Sequence, residues 1–275
     1  MKVAFWSNCN GRAGTTSNMA CISVVCAMIK QTKNVLFENH YSLNNLEQVF
    51  IHHKSGSHSM LREELAYYDQ KGLEGLMRRV HSNHTYKEVM EDISLKFLNN
   101  LIYYLPRNSN MNQEYFEFEL NHIIKPLMSF LDHIFDIVFV DTAYNNTLST
   151  KTILEDVEVV VVNLSQNKML LDHFFSNYNS LIEKSFFIIG NYQEPVRYNL
   201  KNIRRRYQIP KDQIGVIPYN LEFSDAVNNG TVIEYLMRNF DCNHQDENYF
   251  FISQVKRVAQ MIMERFDREE ISVVS

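Results

Sequence analysis

Asn8-Cys9-Asn10-Gly11-Arg12-Ala13-Gly14-Thr15-Thr16-Ser17 is the stretch of this chain whose residue types and spacing could do chemistry. It lies between a short apolar run, Val3-Ala4-Phe5-Trp6, and a long apolar stretch of helical character from about Thr16 to Lys30. A strand, a glycine-containing loop and a helix start in that order can converge backbone N–H groups on a phosphate. The first amides of a helix lack intrahelical partners and carry partial positive charge. The phosphate-binding pattern G-x-x-x-x-G-K-[ST] also asks for a lysine ahead of its last hydroxyl, to reach the outer phosphates; Thr15 stands there instead. The alternative reading of the same residues is a tight turn in which Thr16 or Ser17 caps the helix and no ligand is held.

The elements that must position this loop are legible as short apolar runs. Val35-Leu36-Phe37 ends at Glu38-Asn39-His40, Leu101-Ile102-Tyr103-Tyr104-Leu105 stops at Pro106, and Ile137-Val138-Phe139-Val140 stops at Asp141. Val159 to Val162, Phe186 to Ile189 and Gly215-Val216-Ile217 follow. These runs are β-branched or aromatic and do not alternate with polar residues, as strands buried on both faces do not. Helical segments such as Gln113 to Leu131 and Leu170 to Glu183 are long enough for right-handed crossovers. The expected fold is α/β, a mostly parallel twisted sheet of about seven strands flanked by helices, with functional loops at the strands' carboxyl ends. One domain over residues 1–275 is expected, with 41–100 as a divergent, polar, helical insert region.

Composition narrows the function classes. The chain has 275 residues, 45% of them apolar, and a formal charge of −5, which argues against a protein that coats nucleic acid. Arg204-Arg205-Arg206 reads as a solvated helix face. Cys9, Cys21, Cys26 and Cys242 form no CxxC pair, and no signal peptide or membrane-length apolar run is evident. A cytoplasmic protein with reduced thiols is expected.

The order of elements resembles the ParA/MinD group of P-loop ATPases (SIMIBI class). Asn10-Gly11-Arg12-Ala13-Gly14-Thr15-Thr16 aligns with that group's K-G-G-x-G-K-[ST] as a degenerate Walker A, and Asp141-Thr142-Ala143 is similar to its Walker B strand end. Phe135-Asp136 leads into that strand as an aromatic and an Asp do in the group. Ile188-Ile189-Gly190-Asn191 looks like the strand whose terminal asparagine reads adenine, and Gly215 to Pro218 with Ser224 to Gly230 resembles a later strand end and A-x-x-x-G segment. The resemblance implies nucleotide contacts from Gly11, Arg12, Ala13, Gly14, Thr15, Thr16, Ser17 and Asn191, with ATP and Mg as cofactors and Thr16 and Asp141 at the metal. It also implies a homodimer.

The departures carry as much weight. The group's signature lysine falls on Asn10 and its P-loop lysine on Thr15; alignment through Asn44-Asn45-Leu46 puts its water-orienting aspartate pair on Asn39 and Tyr41. All three strike charge stabilisation and water positioning, most of what phosphoryl transfer asks of a protein. No catalytic residue is therefore assigned, and a degenerate, non-hydrolysing or weakly hydrolysing ATPase is expected. Arg12 either turns its guanidinium to phosphate or extends into solvent. Within the group the loop is most similar to TadZ/CpaE-like proteins, which implies a positioning role in a Flp/type IV pilus or related secretion machine, peripheral to the inner membrane through protein partners. An active ATPase of partitioning or division-site placement and a pure scaffold without nucleotide are the alternatives.

Other constellations are weaker. His52, His53, His58, His81 and His84 have spacings that could hold zinc but lack accompanying cysteine or acidic motifs, so surface histidines are expected. Cys9 reads as a small loop residue. Ile252 to Phe266 has apolar residues at helical spacing; Glu264, Asp267, Glu269 and Glu270 oppose attraction to an anionic membrane, so packing on the sheet is expected.

Overall fold

The structure, a computed structural model, describes residues 1–42, 44–52, 71–82, 87–107, 112–145 and 147–273, with side chains to 265. Strand β1 (Lys2–Trp6) leads into α1 (Thr15–Lys30), and β2 (Asn34–Glu38) into α2 (Leu46–Phe50), α3 (Gly72–His81) and α4 (Val89–Ile93). A hairpin follows, β3 (Leu95–Phe97) and β4 (Ile102–Tyr104), then α5 (Gln113–Ile134), β5 (Ile137–Asp141), α6 (Leu148–Asp156), β6 (Val159–Leu164) and α7 (Lys168–Asn177). The chain continues with β7 (Ser185–Tyr192), α8 (Leu200–Tyr207), β8 (Ile214–Pro218), α9 (Leu221–Asn229), α10 (Val232–Asn239) and α11 (Tyr249–Val273).

Among the described residues the sheet has eight strands where about seven were expected, in the order β3-β4-β2-β5-β1-β6-β7-β8. All neighbours are parallel except β3 and β4. The extra strand, Leu95-Lys96-Phe97, is a three-residue edge, too short for a periodic signal, with an exposed lysine that blunts further pairing. Its turn back to β4 runs through Leu98, Asn99 and Asn100, all with positive φ.

The strands inside the β3 edge bury both faces, which explains their lack of alternation. On one face Val35, Phe37, Val138, Val140, Val160 and Val162 pack against α3, α5, α6 and α7; on the other, Leu36, Phe139, Val161 and Ile188 pack against α1, α10 and α11. Ile252, Val255, Val258 and Ile262 of α11 belong to this second core, so that helix lies on the sheet as its spacing predicted. Fully burying one such aliphatic side chain contributes about 1.5–3 kcal/mol. The site's foundation is therefore a buried strand, with β1 central between β5 and β6.

Candidate functional site

Because β1 is central, the Asn8–Gly14 loop emerges at the carboxyl edge of the sheet, where a parallel α/β sheet opens a crevice. Gly11 and Gly14 have φ of +69° and +67°, the left-handed region that glycine enters without strain, and Gly14 is the N-cap of α1. No side chain caps α1, whereas Asn or Thr side chains cap α2, α5, α6, α7, α8 and α9. Neither Thr16 nor Ser17 caps α1: Ser17 Oγ donates to the Gly14 carbonyl at 3.0 Å, and Thr16 Oγ1 donates to Asp141 Oδ2 at 2.5 Å. Asn18 pins the loop from below, its Nδ2 donating to Ala13 O at 3.0 Å and to Asn163 Oδ1 at 2.9 Å. The loop faces a cleft of about 690 Å³, a volume typical of small-molecule sites.

Two further side chains converge on Asp141. Strands β2 and β5 pair with Glu38 beside Asp141, and the pleat puts Glu38 on the same face as Leu36, which packs in the core with α1. His40 Nε2 lies 3.1 Å from Asp141 Oδ2, and His40 Nδ1 accepts the Ser42 N–H at 3.2 Å. Glu38 is buried; Oε1 accepts the Leu46 N–H at 2.8 Å and Oε2 the Tyr104 hydroxyl at 3.0 Å. Burial pulls the His40 imidazolium down, but the charge and hydrogen bond of Asp141, with Glu38, outweigh it and hold its pKa above the ordinary value. Burial and the neighbouring Asp141 push the Glu38 carboxyl up, against His40, the Leu46 N–H and Arg107. Burial and Glu38 likewise push the Tyr104 hydroxyl well up.

No family model and no curated protein matches the chain. Solved structures match along nearly all of it. The cell division ATPase MinD of Pyrococcus furiosus is 15% identical, with a TM-score of 0.65 over 96% of this chain and 98% of that one. A ParA family ATPase from Chlorobium tepidum gives 0.68 at 10% identity, covering 94% and 97%. A putative plasmid partition protein from Borrelia burgdorferi, bound to AMPPNP, gives 0.63 at 14%, covering 96% and 98%. The chain has the ParA/MinD fold.

On the ParA/MinD fold, the residues singled out from sequence divide into two groups. Gly11, Gly14, Thr15, Thr16, Ser17 and Asp141 line the cleft together. Arg12 is exposed and does not line it, and Ala13 is buried beneath the loop. Asn191 is exposed at the end of β7 with a φ of +48°, also outside the lining. Its neighbour Gly190 is where β7 meets the loop: a Cβ there would stand 2.3 Å from Ala13 O. Among the described residues lining the cleft there is no lysine or arginine, and Glu117 joins Asp141 as an acid.

Asn39 and Tyr41, where the resemblance puts the aspartate pair, both line the cleft, but neither side chain bonds to Asp141. Asn39 points to the other face, where Nδ2 donates to Thr150 Oγ1 at 3.2 Å and Oδ1 accepts the Ala143 N–H at 2.6 Å. Tyr41 packs edge-on against Phe116 of α5, with the Arg107 guanidinium 3.6 Å above its ring. Glu38 and His40 are the residues that meet Asp141; strand parity counted from Leu36 signals Glu38, whereas His40 lies beyond the strand and has no such signal. Of the histidines considered for zinc, His53, His58 and His84 lie outside the described residues. His52 donates from Nδ1 to Asn229 O at 3.0 Å, and His81 is exposed at the end of α3. Cys9 lines the cleft with Ser7 Oγ 3.5 Å from its sulfur.

Proposed function

We propose that this chain is a ParA/MinD-like positioning protein that takes Mg-ATP at the α1 loop and hydrolyses it slowly or not at all. The observation that carries the reading is the cleft: an uncapped helix start and a Thr16–Asp141 pair open onto it, yet no lysine or arginine lines it among the described residues. The donor chemistry fits the group. Backbone N–H groups at α1 receive phosphate oxygens, and the Thr16 hydroxyl and Asp141 carboxylate are hard oxygen donors suited to Mg. Bound Mg neutralises phosphate charge. Turnover asks for more, because removing one group that stabilises the developing charge costs about 100- to 1000-fold in rate, and this chain has neither Lys at 10 nor Lys at 15.

The wider role rests on the resemblance stated above: a homodimer that docks protein components of a Flp/type IV pilus or related secretion machine, cytoplasmic and held at the inner membrane by its partners. No helix among the described residues is long and apolar enough to cross a membrane. A scaffold that takes no nucleotide is the second reading, and the same lack of basic lining residues favours it. Calorimetric titration with ATP in Mg and in EDTA separates the two. Heat of binding in Mg and none in EDTA is the expected result; no heat in either at millimolar nucleotide supports the scaffold. Sedimentation with and without Mg-ATP tests the dimer, and a monomer in both removes it.

A further inference from the structure

We propose that Glu38, His40 and Asp141 form a binding site for a first-row transition dication of the zinc or cobalt class, filled without nucleotide. One ligand atom from each residue falls within 4.8 Å of the other two. The His40 Nε2 to Asp141 Oδ2 separation of 3.1 Å is already close to the edge of a coordination polyhedron, about 3.0–3.4 Å when metal–ligand bonds are about 2.0–2.1 Å.

Three properties favour a metal over a plain ion pair. Glu38 and Asp141 are each 1% exposed on paired strand positions, so two buried carboxylates lie side by side, with Asp141 lining the cleft. Two ionised carboxylates there need a cation, which the His40 imidazolium or, with the ring neutral, a bound metal supplies. Each carboxylate is also oriented by a group outside the trio, Glu38 by Tyr104 and the Leu46 N–H, Asp141 by Thr16. Outer partners of this kind fix first ligands in place. Finally, the donor set holds an imidazole nitrogen. Magnesium prefers six oxygens and keeps its waters, whereas one imidazole with two carboxylates suits zinc, cobalt or iron.

The site also defines what must move. Nδ1 accepts the Ser42 N–H, so the neutral ring carries its proton on Nε2, facing Asp141. A metal takes the Nε2 lone pair. The proton then leaves Nε2 and the ring is protonated on Nδ1, which breaks the Ser42 bond; Ser42 is half-buried in the loop between β2 and α2 and lines the cleft. An imidazolium present beforehand loses one proton to solvent in the same step.

This inference rests on the cleft assigned above, but its test omits nucleotide, so failure of ATP binding leaves it standing and failure of metal binding leaves the ATP reading standing. EDTA-stripped full-length protein is titrated with ZnCl₂ calorimetrically and with CoCl₂ by absorption and proton NMR. One equivalent of Zn²⁺ is expected, with d–d bands for bound Co²⁺ and one paramagnetically shifted, exchangeable imidazole N–H. Magnesium at about 10 mM does not displace the zinc, since it is a poor match to nitrogen. His40→Gln and, separately, Glu38→Gln weaken zinc by at least about 100-fold, the upper end of what loss of an outer partner alone costs, while His52→Gln changes nothing. No binding at millimolar Zn²⁺ overturns the proposal. So does an equivalent that survives His40→Gln, or Co²⁺ binding with no shifted imidazole proton, a readout that needs no variant to fold.

Discussion

Asp141 holds the hydroxyl of Thr16 and the imidazole of His40 on one oxygen. Asp141→Asn keeps the shape but removes the charge both partners face. Hydrogen bonds to charged groups contribute about 1.5–3 kcal/mol, so Mg-nucleotide affinity should fall about ten- to 150-fold by calorimetry. Glu38 and His40 also make a signed prediction in pH. Both hold their protons more tightly folded than an unfolded chain would. Stability from each is complete below its unfolded value, about 4.3 for Glu and 6.5 for His, and is lost as pH rises through the raised folded value. The metal-free melting temperature should therefore drop as pH climbs from about 5 to about 8. His40→Gln should flatten the upper part of that slope; an unchanged slope would show that His40 does not titrate with folding.

At the scale of elements, β7 and the α1 loop are locked by backbone contact. Gly190→Ala would place a Cβ 2.3 Å from Ala13 O and 2.9 Å from Asn18 Nδ2, so the loop must move off the strand. Overpacking of this kind costs about 1–3 kcal/mol, read as a lower denaturation midpoint, with weaker nucleotide binding in the same variant. The loop, α1, β5 and their order were legible in sequence because apolar runs ending in Asp141 and Gly190-Asn191 are local signals. Two features were not. Leu95–Phe97 is a strand only because β4 supplies its partner, which no local periodicity reports. His40 was missed because it lies beyond the end of β2 and meets Asp141 of β5, about a hundred residues on, only once the two strands pair.

For the whole molecule, a sheet buried on both faces carries a cleft with preserved oxygen donors and no lysine or arginine among its described lining residues. On the function proposed for it, such a cleft holds a metal-bound phosphate through backbone amides while lacking the charge that lowers the barrier to its transfer. Fold and site are thus decoupled: the packing that builds the crevice does not depend on the groups that would make it an enzyme. The most direct measurement follows heat of binding and phosphate release together as the protein is titrated with Mg-ATP. Saturable heat with no phosphate above the uncatalysed background is the predicted result; phosphate release that disappears on Asp141→Ala would contradict it.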